Sequence, residues 1–174
     1  MMLRCPKIAR LRVLLCLALL PWLAGCEPPK GLLIQVQETA AFANISRIGT
    51  AQNVYLNEHE GLAAKSIADL GELLDPPALR AATSKETAFQ GYYFRIMPGQ
   101  KPYEFSVIAT PANHGVTGVQ TFLLLSDGAV YSRDLQGAEL SEVPAKPEAS
   151  GWTKRRAAAR VIGPEEESLP PSKP

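Results

Sequence analysis

The apolar residues of this chain change their period once, at Gly91, and that change restricts the fold more than any other feature. From Leu32 to about Glu60 no proline interrupts the chain. Ala41, Ile45, Ile48, Ala51 and Tyr55 recur at spacings of three and four, which places them on one face of a helix. Ser46, Thr50, Asn53 and Asn57 fall opposite, and Gly61 is a natural stop. Beyond Gly91 the period becomes two. Tyr92, Phe94 and Ile96 alternate with other residues, as do Tyr103, Phe105, Val107 and Ala109. Pro98–Pro102 reads as a turn, and Pro111–Gly118 as a loop. Val119–Leu125 reads as a third strand, and Ser126-Asp127-Gly128 as a tight hairpin into Ala129–Arg133. The predicted class is α+β: a long amphipathic helix on a three- to four-stranded antiparallel meander, with the other sheet face free to meet water.

Between helix and sheet lie shorter helical signals. Ser66 and Asp69 have capping-box spacing, with Asp in place of the usual Glu. Ile67, Leu70, Leu73 and Leu74 supply the apolar side. Asp75-Pro76-Pro77 predicts a further short turn through Ala82, with Asp75 as cap and Pro76 at the first helical position.

The N-terminus reads as a targeting segment. Arg4, Lys7, Arg10 and Arg12 precede an eleven-residue apolar run, Val13–Leu23, which is about half the length of a membrane span. The box Leu23-Ala24-Gly25-Cys26 that ends it resembles the lipobox of bacterial lipoproteins at all four positions. That resemblance implies a signal peptide over residues 1–25, cleavage before Cys26, a diacylglycerol on the Cys26 sulfur and acylation of the new amino group. Two or three chains would hold the protein firmly, since each buried methylene adds about 0.8 kcal/mol. Glu27 follows the cysteine where an Asp would signal inner-membrane retention, so the expectation leans to the outer membrane. With Cys5 and Cys16 removed, Cys26 is the one cysteine left, no internal disulfide can form, and the fold must rest on its core. Residues 26–31 read as a tether, because Pro28 and Pro29 favour extended backbone.

Charge bears on partners. Residues 1–25 hold four of the eighteen basic residues and no acid, so fourteen basic and seventeen acidic side chains remain, a net charge of −3. A mildly acidic chain does not suit nucleic acid, where affinity rests on neutralising phosphates. Residues 135–174 carry six prolines, a basic cluster (Lys154, Arg155, Arg156, Arg160) and the acidic run Glu165–Glu167. They read as a mostly disordered tail, with Trp152 able to dock on the domain and a weak helix around Ala157–Arg160.

A long helix followed by a small antiparallel sheet is the plan of type IV pilins and type II secretion pseudopilins, and the domain read over residues 32–134 resembles them across roughly residues 40–135. Ile45-Ser-Arg-Ile-Gly-Thr-Ala-Gln-Asn-Val-Tyr55 is similar to the segment that lays the pilin helix on its sheet, and Ser66–Leu74 to the connecting segment. Gly91-Tyr-Tyr-Phe-Arg95, Thr121-Phe122 and Val130-Tyr-Ser-Arg-Asp-Leu135 also resemble an uncharacterised family of bacterial secreted proteins. The pilin likeness stops short of the membrane helix. Lys30-Gly31 looks like a pilin cleavage site, yet Val36 rather than Glu stands fifth after Gly31, and the apolar run ends at Gln35. Pilus assembly by the pilin route is therefore not expected.

Candidate sites are few. His59 lies between Glu58 and Glu60, but neighbours one apart on a helix point in different directions, so a solvated helix end is expected. His114 has no partner at ligand spacing. Asp127 and Asp134 flank a hairpin and could join a calcium site, which the pseudopilin resemblance allows, while turn chemistry explains Asp127. Tyr92, Tyr93 and Tyr103 could form an aromatic patch or simply pack. The basic cluster at 154–160 could touch anionic lipid heads. No catalytic constellation, phosphate loop or zinc motif is present, so no cofactor and no metal are expected. The expected function is a non-enzymatic envelope lipoprotein, anchored through Cys26, with a structural role or contacts to an envelope protein, accessory to a pilus or secretion apparatus. The alternative is a periplasmic or surface ligand-binding module using loop 111–120 and its tyrosines.

Overall fold

The structure, a computed structural model, describes residues 30–155. Cys26, the expected signal segment and most of the expected tether lie outside these residues, as does the expected helix around Ala157–Arg160. Helix α1 (Lys30–Glu58) leads into a 3-10 helix at Ala68–Leu73 and the short helix α2 (Pro77–Ala81). Five strands follow: β1 (Tyr92–Pro98), β2 (Phe105–Pro111), β3 (Gln120–Leu125), β4 (Val130–Asp134) and β5 (Thr153–Arg155). They form one sheet in the order β1-β2-β3-β4-β5, each pair antiparallel. The class is α+β.

The predicted stripe of α1 is the buried one. Ala41, Ile45, Ile48 and Ala51 are sealed against the sheet, with Tyr55 packed at the edge of the same core. Full burial of each isoleucine contributes about 2 kcal/mol. Close approach needs a small residue at Gly49, where a Cβ would come within 2.5 Å of Leu124 Cδ2. The helix ends as expected: Gly61 takes φ +81° and its N–H donates to Leu56 O at 2.9 Å, satisfying a carbonyl of the last turn. In the connecting segment the capping box forms. Asp69 N–H donates to Ser66 Oγ at 3.3 Å, and Ser66 N–H donates to Asp69 Oδ2 at 2.9 Å. The next turn departs from expectation by one residue. Pro76 occupies the cap position with extended backbone, Pro77 stands first in α2, and no side chain caps the helix. Proline has no N–H to satisfy, so the first helical turn tolerates it there.

On the helix-facing side of the sheet, Tyr92, Phe94, Ile96, Phe105, Val107, Ala109, Phe122, Leu124 and Val130 complete the main core. Alternation placed Tyr92, Phe94, Ile96, Phe105, Val107 and Ala109 correctly, whereas Tyr103, expected on the same face, is exposed and precedes β2.

The opposite face overturns two expectations. It is not open to water, and residues 135–155 do not trail as a mostly disordered tail, although Trp152 docks on the domain as the sequence allowed. Ile108, Leu123, Tyr131 and Trp152 form a second buried cluster, flanked by Met97, Leu125, Ala129, Leu135, Leu140 and Val143. Residues 135–152 cross this face as a strap, and Thr153–Arg155 then add the fifth strand beside β4. The strap is pinned by polar contacts. Tyr93 Oη donates to Glu139 Oε1 at 2.9 Å, the Arg95 guanidinium donates to Leu140 O, and Arg133 Nη1 donates to Ser150 O at 2.6 Å. The physical reason is the composition of the face itself. Ile108, Leu123 and Tyr131 are register neighbours on adjacent strands, and such a row needs a cover.

Candidate functional site

Apart from His114 and Asp134, which meet, the residues singled out in the sequence do not converge on one site. His59 sits at the exposed end of α1, stacked on Tyr55 with ring centroids 3.7 Å apart, its Nδ1 2.9 Å from Tyr55 O. Asp127 spends its carboxylate on the hairpin, where Oδ1 accepts from Ala129 N–H at 2.8 Å. Asp134 accepts from Gln136 N–H at 2.7 Å and lies 2.9 Å from His114 Nε2. Those two contacts, the backbone one foremost, hold the Asp134 carboxyl below its ordinary range. His114 thus has a partner that spacing did not reveal, because Asp134 is twenty residues on. Among the described residues no group of three or more His, Cys, Asp or Glu could hold a metal.

The three tyrosines also part company. Tyr92 points into the main core and its Oη donates to Gln120 O at 2.9 Å. Burial first, and the nearby Glu38 second, push its phenol well above the usual range. Tyr93 faces the strap, where burial and the hydrogen bond to Glu139 push it up to about 12. Tyr103 is exposed on the β1–β2 turn beside Lys101, whose Nζ lies 5.5 Å from its ring centre.

Loop 112–119 is closed on itself. Asn113 N–H donates to Thr117 Oγ1 at 3.0 Å, and Gly115 N–H to Gly118 O at 2.8 Å. Its base is filled: a Cβ on Gly118 would stand 2.0 Å from the Tyr92 hydroxyl oxygen.

Open space lies instead beside the helix. A shallow cleft of about 550 Å³ is bounded by Gln35, Glu38, Thr39 and Phe42 of α1, Phe122 of β3 and Arg155 of β5. It exists because α1 packs across β1 to β3, leaving a trough where β4 and β5 extend past it. Phe42 and Phe122 meet edge to face on its floor with centroids 6.2 Å apart. Glu38 Oε1 accepts from the N–H groups of both Val119 (2.9 Å) and Gln120 (3.0 Å), fixing the start of β3 to the helix. Arg155 Nε donates to Ser132 Oγ at 2.6 Å. The cleft thus offers an aromatic floor and one charge of each sign, each already engaged with protein. It can seat a small polar group. Among the residues that line it, no nucleophile stands beside a base. Sequence reading missed Glu38 and Arg155 as neighbours because helix and fifth strand are joined only by the fold. Arg155 lies in a proline- and charge-rich stretch with no alternation, and Glu38 lies where a polar helix face is ordinary.

No curated protein and no solved structure matches the chain. Residues 102–147 do match a family, and they span β2, β3, β4 and most of the strap. Two of the motifs read from the sequence, Thr121-Phe122 and Val130–Leu135, fall inside that segment, and Gly91–Arg95 falls before it. Over this stretch the chain is similar to the family described as protein of unknown function (DUF2950).

Proposed function

We propose that the chain is a lipid-anchored envelope protein whose α+β domain has a structural or protein-contact role and performs no catalysis. The observation that carries the proposal is the box Leu23-Ala24-Gly25-Cys26, placed directly after a basic segment and an apolar run. The fold lends support. Helix α1 begins at Lys30, so the domain starts four residues after the lipid-bearing sulfur. The polar atoms of the described residues are spent within the fold: Glu38, Tyr92 and Asp134 bond to backbone groups, and Tyr93 to Glu139 of the strap.

The finer reading is a pilin-like domain that keeps the helix-on-meander plan and replaces the membrane helix with lipid on Cys26, held at the outer membrane and serving a pilus or secretion apparatus. The order of long helix, connecting segment and sequential antiparallel strands supports it. The partner in this reading is another envelope protein. The cleft between Glu38 and Arg155 favours a second reading, a periplasmic or surface module for a small ligand.

Cys26→Ala tests the anchor. The full chain expressed in a diderm bacterium should fractionate with membranes and incorporate labelled palmitate, and the variant should do neither. A variant that stays in membranes removes the basis of the proposal.

A further inference from the structure

The start of α1 carries apolar side chains that the domain does not cover. Leu32 is 50% exposed, Leu33 42% and Val36 58%. These positions share one sector of the helix, since 32, 33 and 36 lie within about 100° of one another. The first fully buried residue of the stripe is Ala41, and the first contacts with the sheet side come from Gln37 and Glu38. Residues 31–36 therefore extend beyond the buried core as nearly two turns, about 9 Å long, with Ile34 partly covered, Gln35 edging the cleft, and Leu32, Leu33 and Val36 exposed. The loop that Glu38 holds at this end contributes a further exposed apolar residue, Val116, 62% exposed.

Exposed apolar residues also occur at the far end of the domain, at Leu62 and Tyr103. What separates the two ends is the tether. Four peptide steps join Cys26 to Lys30, and a fully extended chain of that length reaches about 14 Å. A lipid on Cys26 therefore confines the start of α1 to the depth of the headgroups. The far end of this 29-residue helix lies about 40 Å away. A helix start with Leu32, Leu33 and Val36 outward cannot cross a bilayer, because Gln35, Gln37 and Glu38 interrupt it. It can lodge at the boundary of headgroups and acyl chains, as amphipathic segments do at a depth of about 5–10 Å.

We infer that the first two turns of α1 are a second membrane contact, with Leu32, Leu33 and Val36 entering the lipid interface so that the domain stands on the bilayer by its helix start. This rests on the lipid-anchor reading of Cys26. The contact fixes orientation: loop 112–119 faces the membrane, and the β1–β2 turn with Leu62 faces away. Lipid alone on a short tether would leave that orientation free.

The test uses single cysteines in the full chain. If Cys26 is lipidated, the processed parent has no free thiol, so Val36→Cys and Leu62→Cys each give one labelling site. Each is tagged with an environment-sensitive fluorophore. The labelled chains go into vesicles of phosphatidylethanolamine and phosphatidylglycerol, with nitroxide-bearing acyl chains as quencher. Quenching at 36 is expected to exceed that at 62 by at least about twofold, the difference between interfacial depth and water. Three results overturn the inference. Equal or weaker quenching at 36, in a chain that still cofractionates with vesicles, overturns it while leaving the anchor intact. Cross-linking of two copies through position 36 without lipid quenching assigns the patch to self-association. A parent chain that labels at Cys26 and stays out of vesicles overturns the anchor, and this inference with it.

Discussion

The side-chain amide of Gln52 brackets the backbone of Ala64, donating from Nε2 to the carbonyl at 2.8 Å and accepting from the N–H at 3.0 Å. Both residues are buried, so this pair replaces water for two backbone groups at once. It also ties the segment after α1 back onto the helix, twelve residues earlier. Gln52→Leu keeps the volume and strands both groups of Ala64. The expected loss is about 2–4 kcal/mol of unfolding free energy, the scale of two unpaired buried polar groups. Urea unfolding of parent and variant checks it. A loss below about 0.5 kcal/mol would mean that water or another side chain replaces the amide.

The second face of the sheet depends on the strap in the same way that the first depends on α1. The row Arg95, Ile108, Leu123, Tyr131, Lys154 runs across all five strands in register. Its apolar middle is buried, and its two ends are cations that fold over it. Arg95 reaches Leu140 O, and Lys154 Nζ lies 5.9 Å from the Tyr131 ring centre. Trp152 closes the cluster. Trp152→Ala should cost about 3–5 kcal/mol through lost burial and the cavity left behind. It should also raise hydrogen exchange at Val130–Ser132, the residues paired with β5. Trp152→Phe should cost less on both counts. An Ala variant as stable as the parent would place this part of the chain outside the cooperative fold.

How far these features could be read from sequence follows from the range of the interaction concerned. The α1 stripe, the Ser66–Asp69 box, the Gly61 stop and the Asp127-Gly128 hairpin are set by residues within a few positions, and all were legible. The fifth strand was not. Thr153–Arg155 is three residues long, is exposed along its length and follows a proline-containing stretch, so it has no alternation to detect. Leu135, Leu140, Val143 and Trp152 follow no period because a strap contacts a sheet wherever it crosses it. The exception is Trp152, the one large apolar residue in the middle of this stretch, whose docking on the domain could be read from the sequence. The cleft was invisible for a related reason. Glu38 and Arg155 are brought to its walls by the tertiary arrangement of α1 and β5.

Tyr93 links this second face to alkaline pH. Its phenol sits at about 12 in the folded chain against an ordinary 10.0, mainly through burial and then through the hydrogen bond to Glu139. The protonated form is therefore favoured by folding. Between pH 10 and 12 the unfolded chain has released this proton and the folded chain has not, so unfolding releases protons and stability falls as pH rises through that window. Below pH 10 both states hold the proton, and the contribution is fully present. Tyr92 is displaced in the same direction by burial and by Glu38, so it adds to the alkaline loss. Tyr93→Phe should leave a shallower fall, carried by Tyr92. Its stability near neutral pH should also be lower by the Tyr93–Glu139 hydrogen bond, about 1 kcal/mol. Urea midpoints measured from pH 7 to 12 on both chains give the two slopes. Identical slopes would show that the Tyr93 hydroxyl is as free to ionise in the folded chain as in the unfolded one.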